Sequence, residues 1–369
     1  MHMNTSTALQ SYTLGQHLLT NKIVMAPMTR LRAVDNIPSQ LMATYYAQRA
    51  SAGLIISEGV SPSPNGLGYA RMPGIYSAQQ IEAWKPITSA VHKKGGKIFA
   101  QLMHVGRIGH PDNLPENARL IAPSSVAANG EMWTDQNGHQ KFPVPETMDD
   151  VLLQSTRDEF VQAARNAIAA GFDGVELHGA NGYLLEQFLS PHTNQRTDNY
   201  GGNITNRARF VLEVAQAVSL AIGADRTGIR LSPFGAANEM PYYEEVTATY
   251  EYLAEQLSDL GVAYVHLADH SATGGPEIPL SMKRAIRDKF NGTLILNGGY
   301  SLAGATEDIE SGLADLIAFG RPFINNPDLV DRFRKNFPLN LFLDARTLYS
   351  GGAKGLIDYP VFEDESVSV

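Results

Sequence analysis

Eight short apolar runs, each followed by a segment of helical period, constrain the fold of this chain more than any other feature. They are IVMAPM (23–28), LIISEG (54–59), IFAQLM (98–103), GVELHG (174–179), GIRLSP (228–233), AYVHLA (263–268), TLILNG (293–298) and LIAFGR (316–321). Most are continuously apolar, as parallel strands covered on both faces are. Between them, 205–222 carries Phe210, Val214, Val218 and Ile222 at intervals of four, with Thr205 to cap it and Gly223 to stop it. Segment 156–170 carries a Phe160, Ala163, Ala164, Ala167, Ile168 stripe, a Ser155/Asp158 capping pattern and Gly171 as its stop. Segment 247–260 repeats the device before Gly261.

Eight strand–helix units in series predict an α/β fold, a (β/α)8 TIM barrel. The rival is a doubly wound sheet, whose G-x-G-x-x-G fingerprint is missing from the APMTRLRA that follows the first run. Two additions to a minimal barrel are expected. Residues 1–22 would form an N-terminal hairpin closing the barrel floor. Residues 104–150, rich in Pro, Asn and Gly, would form a long lid insertion after the third strand. The whole chain, 1–369, then reads as a single domain.

Composition removes several classes. With no cysteine, the chain has no disulfide, thiolate metal site or cysteine nucleophile, and a reducing cytoplasm is the expected location. The first residues, MHMNTSTALQ, lack the basic and apolar regions of a signal peptide, and no apolar run is long enough to span a bilayer. A net charge of −9 disfavours nucleic acid and anionic membranes as partners. Any bound phosphate would need local arginines or backbone N–H groups. The charge run DRFRK (331–335) reads as a solvated helix face.

In a barrel of this type the chemistry collects at the C-terminal ends of the strands. Those ends carry Pro27, Met28 and Thr29; Glu58 and Gly59; Gln101 and His104; His178, Asn181 and Tyr183; Arg230; His266, Asp269 and His270; Gly298 and Gly299; Gly320 and Arg321. A Schiff-base lysine is not among them, since Lys97 lies at the opposite end of its run. A metal-dependent hydrolase could draw on His104, His178, His266 and Asp269. No H-x-H marks the first run, however, and the accompanying Gln, Asn and Arg are poor divalent-metal ligands. The remaining set is hydrogen-bonding chemistry plus a phosphate cradle, with Gly298, Gly299 and Gly320 opening the backbone and Arg321 adding charge. One phosphate, one cation against a polar ring edge and one amide suit flavin mononucleotide (FMN). Glu58 is expected to cap or pair locally, and His104, His266, Asp269 and His270 to be structural or peripheral.

The segments MAPMTRLRA, GLIISEG, FAQLMHVGR, VELHGANGYLLEQFLSPHTNQRTDNYGG, NGGY and AFGRPFINNPDL together resemble the old yellow enzyme family of FMN-dependent ene-reductases. The likeness leans to its bacterial N-ethylmaleimide, morphinone and nitrate-ester reductases, and runs from Ile23 nearly to YSGGAKGLIDYP. The resemblance implies that Thr29 hydrogen-bonds flavin O4, that Ala26, Pro27, Met28 and Gly59 line the flavin, and that Gln101 meets its pyrimidine edge. Arg230 would face N1 and O2, and Gly298, Gly299, Gly320 and Arg321 the phosphate. His178 and Asn181 would bind the substrate's carbonyl or nitro oxygen, and Tyr183 would protonate its α-carbon. Tyr69, Met103 and Tyr349 would wall the substrate space, with Met103 making it roomier than the Trp of many relatives.

The implied reaction is ping-pong. NADPH or NADH reduces the flavin, and an α,β-unsaturated aldehyde, ketone, maleimide or nitroalkene reoxidises it. Nitrate esters and nitroaromatics are implied side substrates. Lys141 is a candidate for recognising a 2′-phosphate, without fixing NADPH over NADH. No metal is implied, and monomer and homodimer are both open. A flavin-storing or redox-sensing protein is the alternative outside enzymology; Tyr183 would have no task in it.

Overall fold

The computed structural model describes residues 6–362. In chain order, the strands are β1 (Tyr12–Leu14), β2 (His17–Leu19), β3 (Ile23–Met25), β4 (Leu54–Val60), β5 (Ile98–Leu102), β6 (Ile121–Ala122), β7 (Glu131–Thr134), β8 (Gly138–Lys141), β9 (Glu146–Thr147), β10 (Gly174–Gly179), β11 (Thr227–Leu231), β12 (Tyr264–Ala268), β13 (Thr293–Asn297) and β14 (Leu316–Phe319). The eight predicted runs supply β3, β4, β5 and β10 to β14. These pair in parallel in that order and close when β14 meets β3. The first run ends as a strand at Met25, earlier than its apolar stretch: Ala26 N–H still reaches Phe319 O, and Pro27 has no N–H to continue the ladder.

The two-residue period of a strand sorts the core into two. Ile23 and Met25 face the surrounding helices. Val24 between them faces inward with Leu54, Ile56, Phe99, Tyr264, Ile295 and Leu316. Leu14 and Leu19, from the antiparallel β1–β2 hairpin, join that inner cluster and plug the barrel floor, as expected. Each is at most 1 % exposed, so each contributes about 1.5–3 kcal/mol of apolar burial. Residues 1–5 of the predicted N-terminal addition lie outside the described residues.

The helices that matter for the site are α1 (Gln40–Gln48), α2 (Ala78–His92), α3 (Asp150–Ala169), α4 (Leu184–Leu189), α5 (Ile204–Ile222) and α6 (Val246–Asp259). Helix α5 stops at Gly223, whose φ is 102°, but its cap is Asn203 rather than Thr205; the Asn203 side chain accepts from Asn206 N–H. The expectation for α3 needs a larger correction. It starts at Asp150, capped by Asp149, whose carboxylate accepts from Leu152 N–H at 2.8 Å. Ser155 lies inside the helix and bonds back to Leu152 O, the back-bond open to a mid-helix serine.

The predicted solvated face at 331–335 holds only in part: Asp331 and Lys335 are exposed and Arg334 is half-buried. Arg332 is 4 % exposed and Phe333 is buried. The Arg332 guanidinium pairs with Asp328 and donates to Pro338 O and Pro360 O.

The 104–150 insertion contributes β6 paired with β9 and the β7–β8 hairpin, on which Lys141 is exposed. Arg107 ties it to the loop after β11 by donating to Val126 O and Ala127 O on one side and to Asn238 O and Glu239 O on the other.

Candidate active site

Strand register places the polar residues in layers. Glu176 stands opposite Gln101, and His178 opposite Arg230, which in turn stands opposite His266. Inside the barrel, Gln101 Nε2 donates to Glu176 Oε1, and Glu176 Oε2 meets His266 Nδ1, both at 2.8 Å. Burial lowers the pKa of His266, with Glu176 opposing. Arg230 donates to Asn297 Oδ1 at 3.0 Å, and Asn297 donates onward to Ala318 O. The Arg230 Nε is buried with no partner among the described residues, an orphan that a ligand acceptor would satisfy.

The turn between β10 and α4 is held from every side. Asn181 and Gly182 adopt positive φ, 59° and 75°; asparagine is among the few side-chain-bearing residues that accept this readily. A Cβ on Gly182 would lie 2.8 Å from Ala237 O, so the turn needs glycine there. Asn181 N–H donates to Ser232 Oγ (2.8 Å), and Asn238 Nδ2 donates to Asn181 O (2.7 Å). Glu186 accepts from Gly182 N–H, Ser232 Oγ and Tyr250 OH, and its burial pushes its pKa up to about 7. Gln187 donates to Gly182 O and Val105 O, tying the turn to the start of the insertion.

His178 and Tyr183 meet edge to face, ring centroids 5.0 Å apart. Burial, then the Arg230 charge, lowers the His178 pKa well below its ordinary value, so its imidazole is neutral. Its Nδ1 is buried with no partner among the described residues. The Tyr183 hydroxyl lies 2.8 Å from that of Tyr69. Burial raises both phenols, Tyr69 to well above the ordinary value. For Tyr183, hydrogen bonds from Tyr69 and Asn238 work against that rise.

A cavity of about 840 Å³ opens beside this turn, within the range of small-molecule and cofactor sites. Of the predicted residues, Ala26, Pro27, Met28, Thr29, Asn181, Arg230, Gly298, Gly299, Gly320, Arg321 and Tyr349 line it. A Cβ on Gly299, whose φ is 74°, would lie 2.5 Å from Ala272 Cβ, whereas one on Gly320 would meet only Met28 Sδ at 3.6 Å. Arg321 donates to Ala272 O at 2.7 Å.

The other predicted residues do not line the cavity. Gln101 lies in the barrel layer just described. Gly59 is packed by Met103, whose Sδ lies 2.7 Å from where a Cβ would be. Met103 and Tyr183 share an apolar cluster with Tyr69 against it. Tyr349 is 57 % exposed, on a C-terminal segment anchored to the loop after β3. There Arg30 donates to Leu348 O and Gly355 O, and Arg32 to Thr347 O and Leu348 O. Glu58 accepts from the N–H groups of Arg30 and Leu31 in the loop after β3, so its pairing is between strands rather than local in sequence.

One expectation is overturned. Neither Asp269 nor His270 is peripheral: both line the cavity, and His270 Nε2 lies 2.7 Å from Asn181 Oδ1. Ser232 and Asn238, which no sequence motif marks, hold the Asn181 backbone. Of the histidines of the metal-site alternative, His104 is buried, which lowers its pKa to about 3, and His266 is engaged by Glu176.

Residues 10–340 match the model of the NADH:flavin oxidoreductase / NADH oxidase family. The chain is 42 % identical to 12-oxophytodienoate reductase 1 of Oryza sativa subsp. japonica over 96 % of this chain and 93 % of that one. It is 40 % identical to a probable flavin mononucleotide-dependent alkene reductase of Leishmania infantum, over 95 % of this chain and 96 % of that one. A solved morphinone reductase in complex with tetrahydroNAD superposes with a TM-score of 0.92 at 41 % identity, covering 99 % of each chain. The protein therefore belongs to the NADH:flavin oxidoreductase / NADH oxidase family, the old yellow enzyme family of oxidoreductases.

Proposed function

We propose that the protein is an FMN-dependent NAD(P)H:alkene oxidoreductase that reduces the activated C=C bond of α,β-unsaturated aldehydes, ketones, maleimides and nitroalkenes in two half-reactions sharing one site. The observation that carries this reading is the grouping of neutral His178 at the end of β10 with the Asn181 amide and the Tyr183 phenol of the turn that follows, beside a cofactor-sized cavity.

The residues present fit FMN. The unpartnered Arg230 Nε offers a charged donor to the pyrimidine edge, which Gln101 would also meet. Thr29 would bond O4, with Ala26, Pro27, Met28 and Gly59 around the ring. The backbone at Gly298, Gly299 and Gly320, with Arg321, would take the phosphate. The likeness to a morphinone reductase that holds tetrahydroNAD supports a nicotinamide as the electron source. When bound, the flavin supplies the two-electron relay between nicotinamide and alkene.

The chain's own residues do the rest. His178 and Asn181 donate to the substrate oxygen, withdrawing electron density from the conjugated bond and leaving its β-carbon electron-poor. Tyr183 delivers a proton to the α-carbon and is reprotonated afterwards. Tyr69, Met103 and Tyr349 bound the space the alkene enters. Nitrate esters and nitroaromatics present oxygens that the same two donors can bind.

The purified protein should carry a yellow flavin spectrum, bleach anaerobically with NADPH and regain its colour on addition of 2-cyclohexenone. Absence of flavin would defeat the reading. Bleaching that the enone cannot reverse would point to a flavin-binding protein without alkene turnover.

A further inference from the structure

An asparagine amide is ambiguous by construction. Its oxygen and nitrogen are nearly the same size, and a half-turn of the side chain exchanges donor for acceptor. At Asn181 the backbone is fixed by Ser232 and Asn238, but neither contact sets the polarity of the side chain. The contact that can do so comes from His270, in the loop after β12, whose Nε2 lies 2.7 Å from Asn181 Oδ1.

The surroundings of His270 keep the ring neutral. Burial is the largest effect lowering its pKa, and the Arg230 charge adds to it; Asp269 opposes. Asp269 is itself occupied, accepting from Ser271 N–H and Ile278 N–H and pairing with Lys283 at 3.2 Å. A neutral imidazole has one N–H, so its tautomer decides whether it offers Asn181 a donor or an acceptor.

We propose that His270 is a positioning residue that donates from Nε2–H to Asn181 Oδ1 and so leaves only Asn181 Nδ2 to face the substrate. This rests on the ene-reductase reading and deepens it. The oxygen-binding corner becomes donor-only, suited to carbonyl and nitro oxygens and closed to substrate groups that can only donate. With the opposite tautomer, Asn181 would turn its oxygen toward the substrate and repel the group it is meant to hold.

The test uses the flavin-loaded protein. Side-chain ¹⁵N NMR, with His270 assigned by difference from His270→Gln, should show the Nε2–H tautomer; Nδ1–H overturns the proposal. In parallel, His270→Leu and His270→Gln are made with Asn181 intact and in an Asn181→Ala background. The readouts are KM for 2-cyclohexenone and the rate at which it reoxidises dithionite-reduced flavin.

His270→Leu should lower kcat/KM by roughly 5- to 10-fold, the range expected for one lost orienting hydrogen bond. His270→Gln, which keeps a donor, should recover to within about twofold, and His270→Leu should add nothing once Asn181 is alanine. Equal losses for Leu and Gln, or an undiminished loss in the Asn181→Ala background, overturn it. A wild type that the enone cannot reoxidise overturns the proposed function instead, while the tautomer measured on the same sample still decides the polarity of the pair.

Discussion

The hydroxyls of Tyr69 and Tyr183 are hydrogen-bonded at 2.8 Å, and burial raises the pKa of both phenols. If Tyr69 is the donor in this pair, Tyr183 is left as the phenol free to give its proton away. Tyr183→Phe should therefore slow enone-driven reoxidation by roughly 10²- to 10⁴-fold, the usual worth of a general acid. Reduction by NADPH should change far less. Tyr69→Phe should cost only several-fold, because it removes one hydrogen bond from the resulting phenolate. Stopped-flow traces of the two half-reactions separate these outcomes; equal loss in both would contradict the proton-donor role.

Arg230 is a cation buried in the barrel with an unused Nε. Arg230→Met should weaken FMN binding by roughly 10- to 100-fold, corresponding to the loss of about 1.5–3 kcal/mol from a charged hydrogen bond. Fluorescence titration of flavin-free protein with FMN measures it. Unchanged affinity would mean that this side chain does not meet the cofactor.

The floor plug can be tested apart from chemistry. Leu19→Ala removes a side chain 1 % exposed in the inner barrel cluster. It should destabilise the fold by about 2–5 kcal/mol. Thermal unfolding followed by circular dichroism should show the lowered Tm, while the flavin spectrum below that temperature stays as in the wild type.

Two buried groups give stability opposite pH dependences. Burial lowers His104 from 6.5 to about 3, so the unfolded chain takes up a proton there before the native one does. Its contribution is present above pH 6.5 and is lost as pH falls toward 3, by about 1.36 kcal/mol per pH unit. Glu186 is raised from 4.5 to about 7, so it stabilises most below pH 4.5 and loses that contribution as pH rises to about 7. Urea unfolding between pH 4 and 8 should accordingly show a shallower acid limb for His104→Asn and a steeper one for Glu186→Gln. Parallel pH curves for wild type and variants would refute both assignments.

The barrel was legible because its strands are buried on both faces and so are written as unbroken apolar runs. The functional turn was legible because His178, Asn181 and Tyr183 are neighbours in sequence. What escaped depends on packing between loops. His270 reaches Asn181 only because the loops after β10 and β12 lean together across β11. Arg332 is buried because a carbonyl at Pro360, 28 residues further along the chain, accepts from it. The start of α3 was misplaced because Ser155 imitates a cap while bonding inward to Leu152 O. A serine's chemistry is the same in either setting, and only the backbone around it distinguishes them.

The barrel seam joins β3 to β14, so the first wall of the site waits for the last strand among the described residues to be made. The same holds for the loop after β3, whose Arg30 and Arg32 grip carbonyls from Thr347 to Gly355. At roughly 5–20 residues per second, a ribosome takes about 15–60 s to pass from one partner to the other. During that interval β3 is an apolar segment with an unpaired edge on a nascent chain. A chain that stopped before β14 would leave that edge of β3 unpaired and would lack the Tyr349 segment that Arg30 and Arg32 anchor.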